Sequence, residues 1–218
     1  MAAPAAGLLD GLFPEGVATA VSTIEDRLGE LHSDERVYIE SAVVKRQHEF
    51  ATGRALARPL LAAVGHPNFS ILREEDRIPI WPADIVGSIS HTEGLCAAVI
   101  ARRSDFAGLG LDLEPDSAVD RDIERVVCRD AEHEWVRAEG AAEHGRRCRI
   151  VFSVKEAVYK AFYPRTRVFW GFQDVGVAID LEAGTFEAEL PESADRERAA
   201  GRILQREGFL ISGVAVPA

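Results

Sequence analysis

Twice along this chain a helix-forming stretch is followed by strand-forming ones, and that repeated order excludes most architectures before any motif is read. Residues 33–65 carry a helical pattern, as one long helix or two: Ser33 suits a cap, Asp34 and Glu35 suit the first turn, and Gly65 suits the stop. Residues 66–86, with Pro67, Pro79 and Pro82, read as loop with short extended pieces. Residues 88–90 and 95–100 then read as paired strands around a turn at Glu93 and Gly94. In the second half, residues 109–115 alternate with period two and stop at Pro115, and residues 120–140 and 147–163 read as helices. Residues 175–179, 185–190 and 209–216 read as strands, with a short polar interruption rich in Arg and Glu. Residues 1–32 read as a weakly patterned lead-in whose Leu8, Leu9, Leu12 and Phe13 pack on the body. Helices followed by strands in both halves is an α+β order, not the strict alternation of a doubly wound parallel sheet.

The charge pattern narrows the chemistry. The chain has 3 lysines against 22 arginines, and two of the three, Lys155 and Lys160, stand five residues apart in one segment. Lys is a compact point charge suited to a phosphate oxygen or a proton transfer, so its retention here marks the segment as a place for chemistry. Glu156 precedes Lys160 by four, the spacing of an ordinary helical ion pair, and Ser153-x-x-Glu156 also fits a capping box. Against both stand the apolar neighbours Ile150, Val151, Phe152, Val158 and Phe162, which bury the segment.

Asp112 and Glu114, two apart on the expected strand, share one face while Leu111 and Leu113 point into the core. Such a pair is either a solvated strand end or a hard-oxygen site of the kind Mg2+ uses together with phosphate oxygens. Ser90 and His91 are sequence neighbours on a strand and face opposite ways, so they make no nucleophile–base dyad; His91 suits donation to an anion at the strand end. Arg46 and Arg54, eight apart on a helix, lie on the same broad side, a cationic pair or simply a solvated face. Phosphate-loop, dinucleotide-fold and nucleophile-elbow signatures are absent from the sequence.

A net charge of −11 argues against nucleic acid as a partner, since phosphate neutralisation needs a basic face. No apolar run approaches the roughly 20 residues needed to cross a bilayer. The first twenty residues carry no Lys or Arg, so a secretory signal and a membrane partner are not expected and a cytoplasmic protein is. Three widely spaced cysteines, Cys96, Cys128 and Cys148, argue against a disulfide framework or a structural zinc site.

In their order and spacing these segments resemble the phosphopantetheinyl transferase family. Gly110, Asp112 and Glu114 meet its G-x-D-x-E, and Phe152, Ser153, Lys155, Glu156, Ala157 and Lys160 meet its [FW]-S-x-K-E-[AS]-x-x-K. Ser88, Ser90 and His91 meet its upstream segment. Arg46-x-x-Glu49-Phe50-x-x-Gly53-Arg54 and Pro79-Ile80-Trp81-Pro82 are similar to signatures of the larger surfactin- and enterobactin-type subgroup.

The resemblance, covering roughly residues 40–165, implies a monomeric, cytoplasmic transferase. It would move the 4′-phosphopantetheine arm of coenzyme A to a serine of an apo carrier protein of fatty-acid, polyketide or nonribosomal peptide type, in secondary-metabolite or siderophore synthesis. Adenosine 3′,5′-bisphosphate would leave. It implies Mg2+, or Mn2+, on Asp112, Glu114 and Glu156, cations Lys155, Lys160 and His91 on the phosphates, and Glu156 or a metal-held water as base. Arg46 and Arg54 would grip the 3′-phosphate, with Ser90 beside the coenzyme and Arg73 or Arg77 and residues 79–82 near the adenine. With the repeated helix-then-strands order it implies two pseudo-symmetric lobes, residues 1–107 and 108–218, each a helix on a small antiparallel sheet with coenzyme A between. A basic stripe of Arg121, Arg125 and Arg129 on a helix over 120–138 would face an acidic carrier. The rival readings are another magnesium-dependent hydrolase or transferase acting on a nucleotide pyrophosphate, and a carrier-binding relative without activity.

Overall fold

The computed structural model describes residues 7–218, apart from the side chains of Arg121, Ala141 and Ala142. The first half runs β1 (Ala18–Thr23), a 3-10 turn at Leu28–Glu30, α1 (Ser33–Arg36), α2 (Val44–Ala63), β2 (Ile85–Thr92) and β3 (Leu95–Arg102). The second runs β4 (Phe106–Pro115), a 3-10 turn at Arg121–Ile123, α3 (Glu124–Val127), α4 (Asp130–Arg137), α5 (Ala141–Thr166), β5 (Gly176–Asp180), β6 (Thr185–Glu189), β7 (Arg198–Arg206) and β8 (Phe209–Pro217). Two sheets result, β1-β3-β2 and β4-β8-β7-β6-β5, with every pairing antiparallel. The expected α+β class therefore holds.

β3 explains why the halves cohere. It is buried from Leu95 to Ala101, and its alternate residues face opposite neighbours. Cys96, Ala98 and Ile100 pack under Leu56, Ala57 and Leu61 of α2. Leu95, Ala97 and Val99 pack with Leu109, Leu111 and Leu113 of β4. Leu8, Leu9 and Leu12 join this second cluster, as their apolar spacing suggested.

β4 turns its other face to α5, and there glycine is required. A Cβ on Gly110 would lie 1.8 Å from the Ala157 carbonyl oxygen, and one on Gly108 2.2 Å from that of Ala161. The bare strand lets α5 lie directly on the sheet, with the next residue on that face, Asp112, beside the helix that carries Glu156 and Lys160.

Of the two forms left open for 33–65, the structure has two helices, α1 and the twenty-residue α2, parted by turns; past α2, Gly65 takes the positive φ of 95° expected of a stop. Three local expectations change. The lead-in contains β1, whose small residues ATAVST carry little strand signal yet pair with β3 along their length. The polar interruption is β7, RAAGRILQR, a central strand with a largely exposed face that supplies its charges. The 120–140 helix breaks at Cys128, which is extended, with Arg129 capping α4.

That break undoes the arginine stripe. Arg125 is 80% exposed beside Asp122. Arg129 instead folds onto the neighbouring loop, donating to the carbonyls of Gln173 at 2.8 Å and Asp174 at 2.7 Å. Arg121 was the third member, and its side chain lies outside the described residues.

Candidate active site

The site forms where the edge strands of the two sheets meet. β2 and β4 are not hydrogen-bonded as one sheet. Two serine hydroxyls bridge them: Ser88 Oγ accepts from Leu111 N and Ser90 Oγ from Leu113 N, each at 3.2 Å. Buried edge N–H groups need partners, and the alternating Ser-x-Ser of β2 supplies them.

Lys160 Nζ donates to Asp112 Oδ1 at 2.6 Å and to Ser90 Oγ at 3.2 Å. The other oxygen of Asp112, Oδ2, is buried without any partner among the described residues. Glu114 takes Arg149 Nη1 on its Oε2 at 2.5 Å. Glu156 has neither hydrogen bond nor ion pair among the described residues, and burial pushes its carboxyl up, with Asp112 and Glu114 adding to the push against Lys160. Glu114 is raised for the same first reason, burial, then by Asp112. Asp112 and Glu114 thus both disfavour the charged form of Glu156, and Asp112 that of Glu114. The three acids do not form a finished cage: among the described residues no three His, Cys, Asp or Glu side chains gather tightly enough to hold a metal ion.

Both structural explanations of the 153–160 segment fail. Lys160 reaches across to β4 instead of pairing with Glu156. Ser153 lies well inside α5, where its hydroxyl donates to Ser212 Oγ at 2.9 Å, so it caps nothing.

Two expected coenzyme contacts are placed elsewhere. Lys155 is 2% exposed, and its ammonium donates to Glu132 at 2.7 Å and to the carbonyls of Val127 and Phe172 at 2.8 Å. Three donors meet three acceptors, leaving none for a phosphate. Burial pushes this amine down while Glu132 holds it up. Lys155 is thus a staple binding α5 to the end of α3, to α4 and to the loop around Phe172. Ser90 is likewise used internally, as the β2–β4 brace and a partner of Lys160.

On the α2 side, Arg46 Nη1 donates to His91 Nε2 at 2.7 Å and to Glu49 at 3.3 Å. Arg46 can only donate, so His91 Nε2 accepts in this pair; burial first pushes the His91 pKa down, with Arg46 and Lys160 adding to it against Glu49. Arg54 lies 3.3 Å over the Phe50 ring centroid, and Arg73 lies 5.2 Å over Tyr38. Among the described residues Arg54 gives only its Nε, to the Ile71 carbonyl at 3.2 Å. Burial takes the Arg54 pKa to about 9, with Arg46 and Arg73 adding like charge against Glu35. Positive charge is under-compensated there, which suits an anionic ligand.

Between these regions lies a cleft of about 400 Å3, with Arg77 and Pro79 on one wall, Gly87 to Ile89 behind, and Glu156, Tyr159 and Lys160 opposite. Arg167, just past α5, makes a bidentate pair with Glu74 in the loop that carries Arg77 and Pro79. The cleft brings together Glu156, Lys160 and Arg77. The sequence reading did not name Arg149, or the stacked Tyr159–Tyr163 pair with centroids 4.8 Å apart. Arg149, seven residues before Glu156, was findable from helical spacing alone.

Cys96, Cys128 and Cys148 are buried and free. Among the described residues no helix is long and apolar enough to cross a membrane.

Comparison with known proteins meets this geometry. Residues 34–101 match the model of the 4′-phosphopantetheinyl transferase N-terminal domain, and residues 108–205 that of the 4′-phosphopantetheinyl transferase superfamily. The chain is 35% identical over 201 residues to 4′-phosphopantetheinyl transferase Svp of Streptomyces mobaraensis, covering 89% of this chain and 82% of that one. Against 4′-phosphopantetheinyl transferase Npt of Nocardia iowensis the identity is 30% over 222 residues, 95% and 99% of the two. Enterobactin synthase component D of Escherichia coli is 32% identical over 125 residues, 56% of this chain and 58% of that one.

Proposed function

The chain belongs to the 4′-phosphopantetheinyl transferase superfamily, and from that membership we infer an enzyme that transfers the phosphopantetheine arm of coenzyme A to the serine of a carrier protein. The observation that carries its chemistry is the pairing of Glu156 and Lys160 on one cleft, with Asp112 buried behind them on the Lys160 ammonium, in a chain with no nucleophile motif of its own. The serine hydroxyl of the carrier attacks the phosphorus bearing the arm. The bond to the adenosine-side phosphate breaks, and adenosine 3′,5′-bisphosphate leaves. Glu156, unpartnered and with a raised pKa, takes the serine proton. Lys160 neutralises phosphate charge that grows on the leaving side.

The donor set fits a hard divalent cation, Mg2+ or Mn2+: among the described residues Asp112 Oδ2 is a buried oxygen with nothing to accept from, and Glu156 is bare. Asp112, Glu156 and the free oxygen of Glu114 would hold it. It would supply positive charge against the pyrophosphate. Because the acids are not already gathered among the described residues, phosphate oxygens of coenzyme A would be needed beside them as ligands.

The arginines of α2 and the following loop hold the nucleotide end of coenzyme A, with the 3′-phosphate between Arg54, Arg46 and Arg73 and the adenine by Arg77 and Pro79. Arg54→Met is expected to weaken coenzyme A by about tenfold or more while leaving 3′-dephospho-coenzyme A nearly unchanged, since a charge-assisted fork to phosphate is lost only with the former. Equal losses in titration calorimetry would remove the assignment.

The lobes of residues 1–107 and 108–218 would act as monomer halves around the coenzyme. The exposed face at Arg125 and Val126 is offered to carriers of fatty-acid, polyketide or peptide-synthetase type in a cytoplasmic setting. The test is direct: incubate the protein with coenzyme A, Mg2+ and several apo carriers, and seek the added arm on the carrier serine by mass spectrometry. Hydrolysed coenzyme A with unmodified carriers would favour a pyrophosphate hydrolase instead.

A further inference from the structure

Arg149 belongs to none of the recognised motifs, yet it touches the acid cluster. Its Nη1 holds Glu114 Oε2 at 2.5 Å, its Nε donates to the Ser117 carbonyl at 2.7 Å, and its Nη2 to that of Ala118 at 3.3 Å. Both partners of the ion pair are mostly shielded, at 16% and 22% exposed. A guanidinium keeps its charge at any working pH, and three anchors in three directions fix where that charge sits. Lys160 differs: its flexible stem and single ammonium can trade Asp112 for a phosphate oxygen. Arg149 has no such freedom, because leaving Glu114 would also strip the turn at Ser117 and Ala118 of its donors.

A divalent ion approaching the unliganded cluster therefore meets two ligands already in ion pairs, Asp112 with Lys160 and Glu114 with Arg149. One of those cations cannot move away. We propose that Arg149 is the resting counter-cation of Glu114, a fixed positive charge that keeps the acid cluster from taking up a free divalent ion and admits one only with the negative charge of a bound pyrophosphate. This rests on the reading of the three acids as a metal site. It makes Arg149 a positioning residue that sets the order of assembly: coenzyme first, or metal and coenzyme together.

Mn2+ serves as probe, with the unbound ion counted by electron paramagnetic resonance. Wild type should bind Mn2+ weakly alone and at least about a hundredfold more tightly with coenzyme A. Arg149→Met, uncharged but of similar length, should bind Mn2+ alone about tenfold more tightly than wild type, by relief of a like charge near the ion. Arg149→Gln should do the same through a change that keeps a donor for the Ser117 carbonyl, which guards against a misfolded Met variant. Arg149→Lys keeps the charge while losing the three-way anchorage, and should bind Mn2+ alone as weakly as wild type. Unchanged or weaker binding by the uncharged variants, or tightened binding by the lysine variant, would overturn the role given to Arg149. Absence of Mn2+ binding by wild type even with coenzyme A would instead sink the metal reading on which it rests.

Discussion

Glu156→Gln should give a folded protein whose transfer rate is lower by roughly two to four orders of magnitude, the range lost with a general base. The substitution is isosteric. Because Glu156 has no hydrogen bond or ion pair among the described residues, no buried partner is stranded by it. Removing a half-buried acid that two other acids repel should leave stability level or slightly raised. Stability and activity thus move apart, which a capping or surface-pair role could not produce. The raised pKa adds a second sign: the carboxyl holds its proton at pH values above the ordinary 4.5. Wild-type turnover without saturating metal should therefore fall on acidification earlier than an exposed glutamate would allow, and the residual rate of the variant should not share that limb. Single-turnover transfer to an apo carrier across pH 5–8, beside thermal melts, measures both; near-normal turnover of the variant would end the assignment of Glu156 as base.

What could be read from the sequence follows from how local each signal is. Leu109, Leu111 and Leu113 alternate with Gly110, Asp112 and Glu114, and the structure puts the leucines in the core shared with β3 and Asp112 against α5. Both lie within a few residues, so period two suffices. β1 and β7 escaped because their strand character comes from their neighbours: Ala18–Thr23 is small and polar, and Arg198–Arg206 is charged on a face the sheet leaves open. Lys155 is the instructive miss. Its motif position suggests phosphate, yet Glu132, Val127 and Phe172, up to 28 residues away, satisfy its ammonium. Nothing in the spacing FSVKE announces that pairing. The same holds for Arg129, which a helix over 120–138 would leave exposed and which the break at Cys128 swings onto the Gln173 and Asp174 carbonyls.

Gly110→Ala is expected to do more damage than any substitution of a charged group at the site. The added methyl would lie 1.8 Å from the Ala157 carbonyl oxygen, 2.8 Å from its carbon and 3.0 Å from Ala161 N. All three are backbone atoms of α5, so no side chain can swing aside, and the helix must lift by over an ångström. Overpacking in a core costs about 1–3 kcal/mol where side chains can yield, and here the yielding element is a 26-residue helix packed against β4 and β8. A loss at or above the top of that range is expected in urea unfolding. Should the protein still fold, α5 would carry Glu156 and Lys160 away from Asp112, and misplacement by about 1 Å can cost a hundredfold in rate. Gly108→Ala, 2.2 Å from the Ala161 carbonyl oxygen, should act the same way, whereas Gly29→Ala, with nothing within 4 Å, should be silent. A Gly110→Ala protein as stable as the Gly29→Ala control would mean that the strand–helix contact does not set the site. The glycine of G-x-D-x-E would then need another reason for being there.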